Sequence, residues 1–155
     1  MTRPSEAPEF PLGPALDFLQ HLWHLNHALE RLSSRMERRL GITAQQRLII
    51  RCVGKFPGIA AGQLAALLHV DPGTVSAALR RLEEKELVMR RRDPGDSRRV
   101  ALGLTAKGRL LDAPTAGTVE EAVDQLLATS PSGECAAATG VVKRFAAILD
   151  EMAEI

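Results

Sequence analysis

The chain has 155 residues, of which 25% are charged and 45% apolar, and its formal net charge is +1. These values are typical of one globular domain and exclude a disordered or a collagen-like chain. Aromatic residues make up only 3%, so the core must consist of Leu, Ile, Val and Ala, which favours helices over a β-sandwich. A total charge so close to zero argues at first against a nucleic-acid partner.

Residues 1–13 are rich in proline and predict a flexible arm. Residues 14–40 carry apolar side chains at alternating gaps of three and four, which predicts a long amphipathic helix. Because this apolar seam is wider than a small domain can cover, we expect the helix to pack against a second chain.

Residues 41–104 predict two short helices joined by a tight turn and followed by a β-hairpin. Gly41 and Thr43 separate the long helix from the next one, and Asp71 is placed to cap the second short helix. The turn sequence at residues 93–96 lies between two alternating segments. This order predicts a mainly α fold with a small β-hairpin wing, a winged helix-turn-helix.

The second short helix predicts a surface that binds the DNA major groove. With Val75, Leu79 and Leu82 facing inward, small residues at the start of the outer face let the backbone approach base edges, and arginines reach guanine or phosphate. The outer face consists of Gly73, Thr74, Ser76, Ala77, Arg80 and Arg81. The alternative is a solvated helix face.

The hairpin concentrates positive charge that a polyphosphate would neutralise. Its arginines are Arg90, Arg91, Arg92, Arg98 and Arg99. A guanidinium at the tip suits a narrow minor groove. Asp96 either holds the Arg98 side chain extended or shapes the turn by accepting backbone hydrogen bonds. The alternative is a charged turn with weak ion pairs.

The near-neutral total conceals a regional split. Residues 31–109 hold 17 Lys or Arg and 7 Asp or Glu, a balance of +10, whereas the remaining residues hold 3 and 12, a balance of −9. A basic lobe joined to an acidic remainder supports a DNA partner.

Several motifs between residues 60 and 111 are shared with a known family. They are Gln63-Leu64-Ala65, Thr74-Val75-Ser76, Leu82-Glu83, Leu87-Val88, Asp96-Ser97-Arg98 and Leu102-Gly103-Leu104-Thr105-Ala106-Lys107-Gly108. The region resembles the DNA-binding module of the MarR (multiple antibiotic resistance regulator) family. The resemblance implies a homodimeric transcription regulator, a repressor relieved by a small ligand, on a pseudo-palindromic operator. It also implies Arg98 in the minor groove, the Thr74–Arg81 face in the major groove, and residues 14–40 and 105–155 as helices of a dimerisation base.

Two positions depart from the family pattern. Glu86 stands where the family usually has glycine. Either the position needs a left-handed conformation, which costs about 1 kcal/mol with Glu, or the helix ends differently. Pro114 interrupts a helix that usually runs into the dimer base, which would change the angle between lobe and base.

The resemblance implies an effector pocket lined by Trp23, His24, His27 and Arg31, suited to a small aromatic acid or phenol. His21, His24 and His27 share one side of the first helix, but no ligand set accompanies them, so we interpret them as polar interface residues and predict no metal or cofactor.

Two cysteines cannot form a disulfide framework, and no apolar run approaches the ~20 residues that span a bilayer. We therefore expect a cytoplasmic protein with no membrane partner. Cys52 is interpreted as core packing. Cys135 lies at the predicted start of the last helix, where the dipole favours a thiolate, so it is the candidate for oxidant sensing.

The alternatives to a ligand-responsive regulator are an oxidant-sensing regulator and a winged-helix protein-interaction module. The sequence has no nucleophile elbow, phosphate loop or metal motif, and we expect no enzymatic activity.

Overall fold

The computed structural model describes residues 10–154, so most of the arm expected at residues 1–13 lies outside the described residues. The elements are α1 (Gly13–Leu40), α2 (Ala44–Lys55), α3 (Ala61–Leu68), α4 (Pro72–Glu84), β1 (Val88–Asp93), β2 (Asp96–Leu104), α5 (Ala106–Asp112), α6 (Val119–Thr129) and α7 (Glu134–Ala153). The mainly helical fold with a small hairpin is confirmed. The chain forms two compact units, divided between Ala113 and Pro114.

The predicted helix ends are confirmed by their caps. Gly41 ends α1 in the left-handed conformation, with φ 75°. Thr43 begins α2 through a reciprocal capping box with Gln46. The side chain of Asp71 accepts from the N–H of Thr74 at the start of α4. These local side-chain bonds explain why the sequence alone placed the helix starts correctly.

One apolar core fills the first unit and holds the two short helices against the hairpin. Val75, Leu79 and Leu82 of α4 are buried, as predicted. They pack with Leu64 of α3 and Leu102 of β2 among the fully buried side chains. Because the inner faces of α4 and β2 share this core, burial of apolar surface fixes α4 against the base of the wing.

Backbone hydrogen bonds tie β2 to the chain before α3. The N–H of Gly58 donates to the carbonyl of Leu102 at 2.9 Å, and the N–H of Leu102 donates to the carbonyl of Ile59 at 2.9 Å. On its other edge β2 pairs antiparallel with β1, with Val88 opposite Leu104. Strand β2 is therefore held on both edges, and its bonds to Gly58 and Ile59 anchor the base of the wing.

A buried arginine holds the end of α5. Arg47 of α2 is 1% exposed, and its guanidinium donates to the carbonyls of Leu111 and Ala113. Arg51, one turn further along α2, donates to the carboxylate of Asp112 at 2.8 Å. Charge-assisted bonds to the free carbonyls of a helix end compensate the cost of burying this charge.

The interruption predicted at Pro114 is confirmed, and it is a break. Helix α5 ends at Asp112 and α6 begins at Val119, capped by the side chain of Thr118. In the second unit neither α6 nor α7 contains a buried residue. Across residues 10–154, no helix combines the length and the apolar character that a membrane crossing requires.

The conformation of Glu86 leads to a stability prediction. Its φ is 58°, so of the two alternatives considered for this position the structure shows the left-handed conformation. We expect Glu86→Gly to raise the free energy of unfolding by about 0.5–1 kcal/mol, because glycine has no Cβ to strain. Glu84→Gly, in the last residue of α4, is the control and should lower it by a similar amount. Urea unfolding measures both, and a loss of stability in Glu86→Gly would contradict the assignment.

Gly108, the last residue of the motif at residues 102–108, leads to a second stability prediction. It is buried in α5, and a Cβ there would lie 2.0 Å from the carbonyl oxygen of Leu87. We expect Gly108→Ala to lower the free energy of unfolding by about 1–3 kcal/mol through overpacking. In Gly62→Ala, the matched control, the new methyl group meets nothing within 4 Å. This helical substitution should raise stability by about 0.5–1 kcal/mol. Equal shifts in chemical unfolding would show that the close approach at Gly108 is unimportant.

Candidate nucleic-acid interface

The first turn of α4 is organised by Asp71. Its carboxylate accepts from the N–H of Thr74 at 3.0 Å and also from the Thr74 hydroxyl. These two bonds hold the pKa of Asp71 below its ordinary value, and the bond from the Thr74 hydroxyl contributes more than the bond from its backbone N–H. Because the hydroxyl proton of Thr74 is engaged, its methyl group and remaining lone pairs are what it can offer a base edge.

Helix α4 separates its buried and exposed residues as the sequence predicted. Val75, Ala78, Leu79 and Leu82 are buried. All six residues assigned to the outer face are exposed: Gly73, Thr74, Ser76, Ala77, Arg80 and Arg81. The first half of this face is small and uncharged and the second half is cationic, an arrangement that allows close approach before the charged contacts.

The wing carries its basic residues on an exposed antiparallel ribbon. Arg91 lies opposite Ala101 and Arg92 opposite Val100. At the tip, Asp96 accepts from the backbone N–H of Arg98 at 3.0 Å. Of the two roles considered for Asp96, the structure shows the one that shapes the turn. Arg98 and its neighbours Ser97 and Arg99 are exposed.

Most of the arginines on these two elements have no acidic partner in the described part of the chain. Within residues 10–154, no carboxylate lies within 4 Å of Arg80, Arg81, Arg91, Arg92, Arg98 or Arg99. Arg90 differs, because its Nε donates to Oε1 of Glu83 on α4 at 2.8 Å. The face therefore presents uncompensated guanidinium groups, the chemistry that binds phosphate oxygens.

Two of the four residues expected in an effector pocket line one cleft on α1. His27 and Arg31 border a space of about 520 Å³. Glu30, Ser34 and Arg38 complete its described lining. Trp23 and His24 are exposed on α1 and are not part of that lining.

The other candidate sensing residues are dispersed. His21 Nδ1 lies 2.8 Å from the carbonyl of Asp17, and His27 Nδ1 lies 3.4 Å from the carboxylate of Glu30. No group of three or more potential metal ligands occurs in the described part of the chain. Cys135 is half-buried at the second residue of α7. Cys52 packs against the core, where burial raises its pKa and disfavours the thiolate.

Sequence reasoning missed the residues that position the site through distant partners. Arg47 and Arg51 share one face of α2, but nothing in their spacing indicates that they hold carbonyls and a carboxylate at the end of α5. Likewise, Glu83 and Arg90 are seven residues apart in different elements, so no helical or strand period predicts their ion pair.

Helices α3 and α4, the turn between them and the hairpin together define a winged helix-turn-helix protein. Residues 42–100 match the family model of the MarR family. The matched residues all lie within the first compact unit.

The chain is also similar to individual known proteins. The chain is 35% identical over 68 residues to the HTH-type transcriptional regulator TtmR of Methylorubrum extorquens, covering 44% of this chain and 35% of that protein. It is 30% identical over 89 residues to the HTH-type transcriptional repressor Mb2911 of Mycobacterium bovis, covering 57% and 64%. The alignments thus span less than two thirds of either relative. The crystal structure of Streptococcus pneumoniae FabT in complex with DNA is similar with a TM-score of 0.67 at 25% identity, covering 90% of this chain and 99% of that one.

The cap at Asp71 leads to a pH prediction. Since its pKa is lower in the folded state, the carboxylate stabilises the fold above the ordinary aspartate pKa of about 4, and this contribution is lost as the pH falls through the lowered value. We therefore expect Asp71→Ala to lower the thermal midpoint at pH 7, and the gap to the unaltered protein to narrow below about pH 4.

Asp71→Asn is the control, because its amide oxygen can still cap α4 but does not titrate. It should lose less stability than Asp71→Ala at pH 7. Thermal unfolding followed by circular dichroism measures both variants, and a gap for Asp71→Ala that stays constant between pH 7 and pH 3 would contradict the role of the carboxylate.

Proposed function

We propose that the protein is a cytoplasmic transcription regulator without enzymatic activity, which binds duplex DNA sequence-specifically as a homodimer. The observation that carries the proposal is the set of exposed arginines on α4 and the wing that lack an acidic partner in the described residues. Positive charge arranged this way on one compact unit suits the phosphate backbone, where it releases counterions. The solved FabT structure, which contains DNA, supports the same class of partner.

In this proposal α4 binds in the major groove and the wing reaches the minor groove. A helix of 13 residues is about 20 Å long and fits a groove about 12 Å wide. The small residues from Gly73 to Ala77 approach the base edges, and Arg80 and Arg81 contact guanine or phosphate. At the wing tip, Arg98 enters the minor groove, where a narrow width enhances the negative potential. Its neighbours contact the flanking phosphates.

The dimer is proposed from the exposed apolar residues of the first helix and the last two. Large apolar side chains that are at least 38% exposed occur along all three helices. They include Leu16, Phe18, Leu19, Trp23, Leu25, Leu126, Leu127, Val142, Ile148, Leu149 and Met152. Side chains of this kind require covering, and a second copy would provide it while doubling the winged lobes. Two lobes related by a two-fold axis fit a pseudo-palindrome with half-sites about one helical turn apart.

A small aromatic acid is the proposed effector that relieves repression. Arg31 and Arg38 bring two guanidinium groups to the cleft on α1 against the one carboxylate of Glu30, a balance that suits a carboxylate ligand. Trp23 and His24, earlier on the same helix, would supply aromatic contacts. Such an effector acts by binding the DNA-free conformation more tightly than the DNA-bound one.

The proposal is tested by selecting bound duplexes from a random pool and measuring affinity by fluorescence anisotropy at several salt concentrations. We expect an inverted repeat and a log-affinity that falls steeply with log-salt. Arg98→Ala should weaken binding about tenfold or more and relax the preference for A·T pairs at the wing. It should also reduce the magnitude of the salt slope by about 0.9, because one cationic group fewer neutralises DNA phosphate.

Arg144→Ala on α7 is the matched control, because it removes the same charge outside the winged lobe and should leave affinity and slope unchanged. Failure of the unaltered protein to select any duplex, or binding that is independent of salt, would refute the proposal. That outcome would instead favour a winged-helix module that binds protein.

A further inference from the structure

Arg90 differs from the other arginines of the wing because it forms an ion pair with a residue of α4. Its Nε donates to Oε1 of Glu83 at 2.8 Å, and the two side chains are 38% and 31% exposed. Glu83 lies in the last turn of α4, and Arg90 is the third residue of β1. The pair therefore joins the two elements proposed to contact DNA.

The position of this ion pair along the wing is significant. At the wing base, the N–H of Leu87 donates to the carbonyl of Leu82, and Leu102 and Leu104 are buried. Beyond Arg90, no hydrogen bond or ion pair within residues 10–154 joins α4 to either strand. The outer ribbon is held only by its own strand pairing, so Glu83–Arg90 is the outermost polar link between wing and helix.

We infer that Glu83 and Arg90 are positioning residues: their ion pair sets the wing at a fixed angle to α4, so that the major-groove and minor-groove contacts are made in register. The inference rests on the proposed DNA-binding function. It assigns Arg90, grouped above with the DNA contacts of the wing, a different role from that of Arg98. It also gives the carboxylate of Glu83 a role on a helix that approaches phosphate.

When the charge of Glu83 is removed, this inference and simple electrostatics predict changes in DNA affinity of opposite sign. Removing the negative charge of Glu83 should strengthen DNA binding if the carboxylate only repels phosphate. If the carboxylate holds the wing, its removal should weaken specific binding, because the wing then samples orientations that miss the minor groove. Exposed ion pairs shift an equilibrium by about two- to fivefold, which sets the size of the expected effect.

The test compares Glu83→Ala with Glu84→Ala. Glu84 is exposed on the same helix and has no ion-pair partner among the described residues, so its substitution removes the same charge without the pair. We expect Glu83→Ala to bind the selected operator about two- to fivefold more weakly and to lose specificity over random duplex. Glu84→Ala should bind as tightly as the unaltered protein or more tightly. Equal behaviour of the two variants would overturn the inference.

Two further measurements separate this inference from the proposed function. Amide hydrogen exchange on the DNA-free protein should be about two- to fivefold faster across residues 88–104 in Glu83→Ala and unchanged in Glu84→Ala. The exchanged pair Glu83→Arg with Arg90→Glu should restore slow exchange and part of the specificity. Unchanged exchange in Glu83→Ala would refute the positioning role of the ion pair, even if the protein binds DNA. A protein that binds no duplex would refute the proposed function, and the exchange measurement would then test the positioning role alone. If Glu83→Ala does not fold, Glu83→Gln provides the same comparison with a weakened bond.

Discussion

The backbone of Leu87 is the point on which the arrangement of the winged lobe depends. Its N–H donates to the carbonyl of Leu82 at the end of α4, and its own carbonyl accepts from the N–H of Thr105 just before α5. Gly108 packs against the same carbonyl so closely that no side chain fits between them. The chain reaches this geometry through the left-handed Glu86. A single turn therefore positions the recognition helix, the wing and α5 together.

The basic side chains of the first unit divide into two groups by what they contact. Arg47, Lys85 and Lys107 donate to backbone carbonyls of other elements, and they hold the fold together. Arg98 and the other unpaired arginines of α4 and the wing have no such anchor in the described residues, and they leave their charge to a phosphate partner. Arg90 lies between these groups, since it is on the DNA-facing ribbon but is bound to α4. The positive charge of the lobe thus serves both folding and binding.

The end of α5 is held by side chains of α2. Arg47 and Arg51 hold the last carbonyls and the carboxylate of this helix, and Pro114 follows two residues after its end. The helix that the family resemblance implied would run on is interrupted at this place. The last carbonyls of a helix have no donor within the helix. Because α5 ends here, its carbonyls are free to accept from Arg47, and these bonds compensate the cost of burying the Arg47 charge.

The amino-acid sequence was sufficient to predict the helices, the hairpin and the chemical character of the exposed side chains on α4 and the wing. Caps at Thr43, Asp71 and Thr105, the turn after Asp93 and the apolar period of α4 are local signals, because the partners lie within four residues. The contacts of Arg47 with the end of α5 and of Glu83 with Arg90 were decided only by the tertiary structure. Their partners are set by how separate elements pack, and no periodicity in one element encodes the position of another. The same packing decided that Gly108 must be glycine, since the carbonyl it approaches is brought there by the fold.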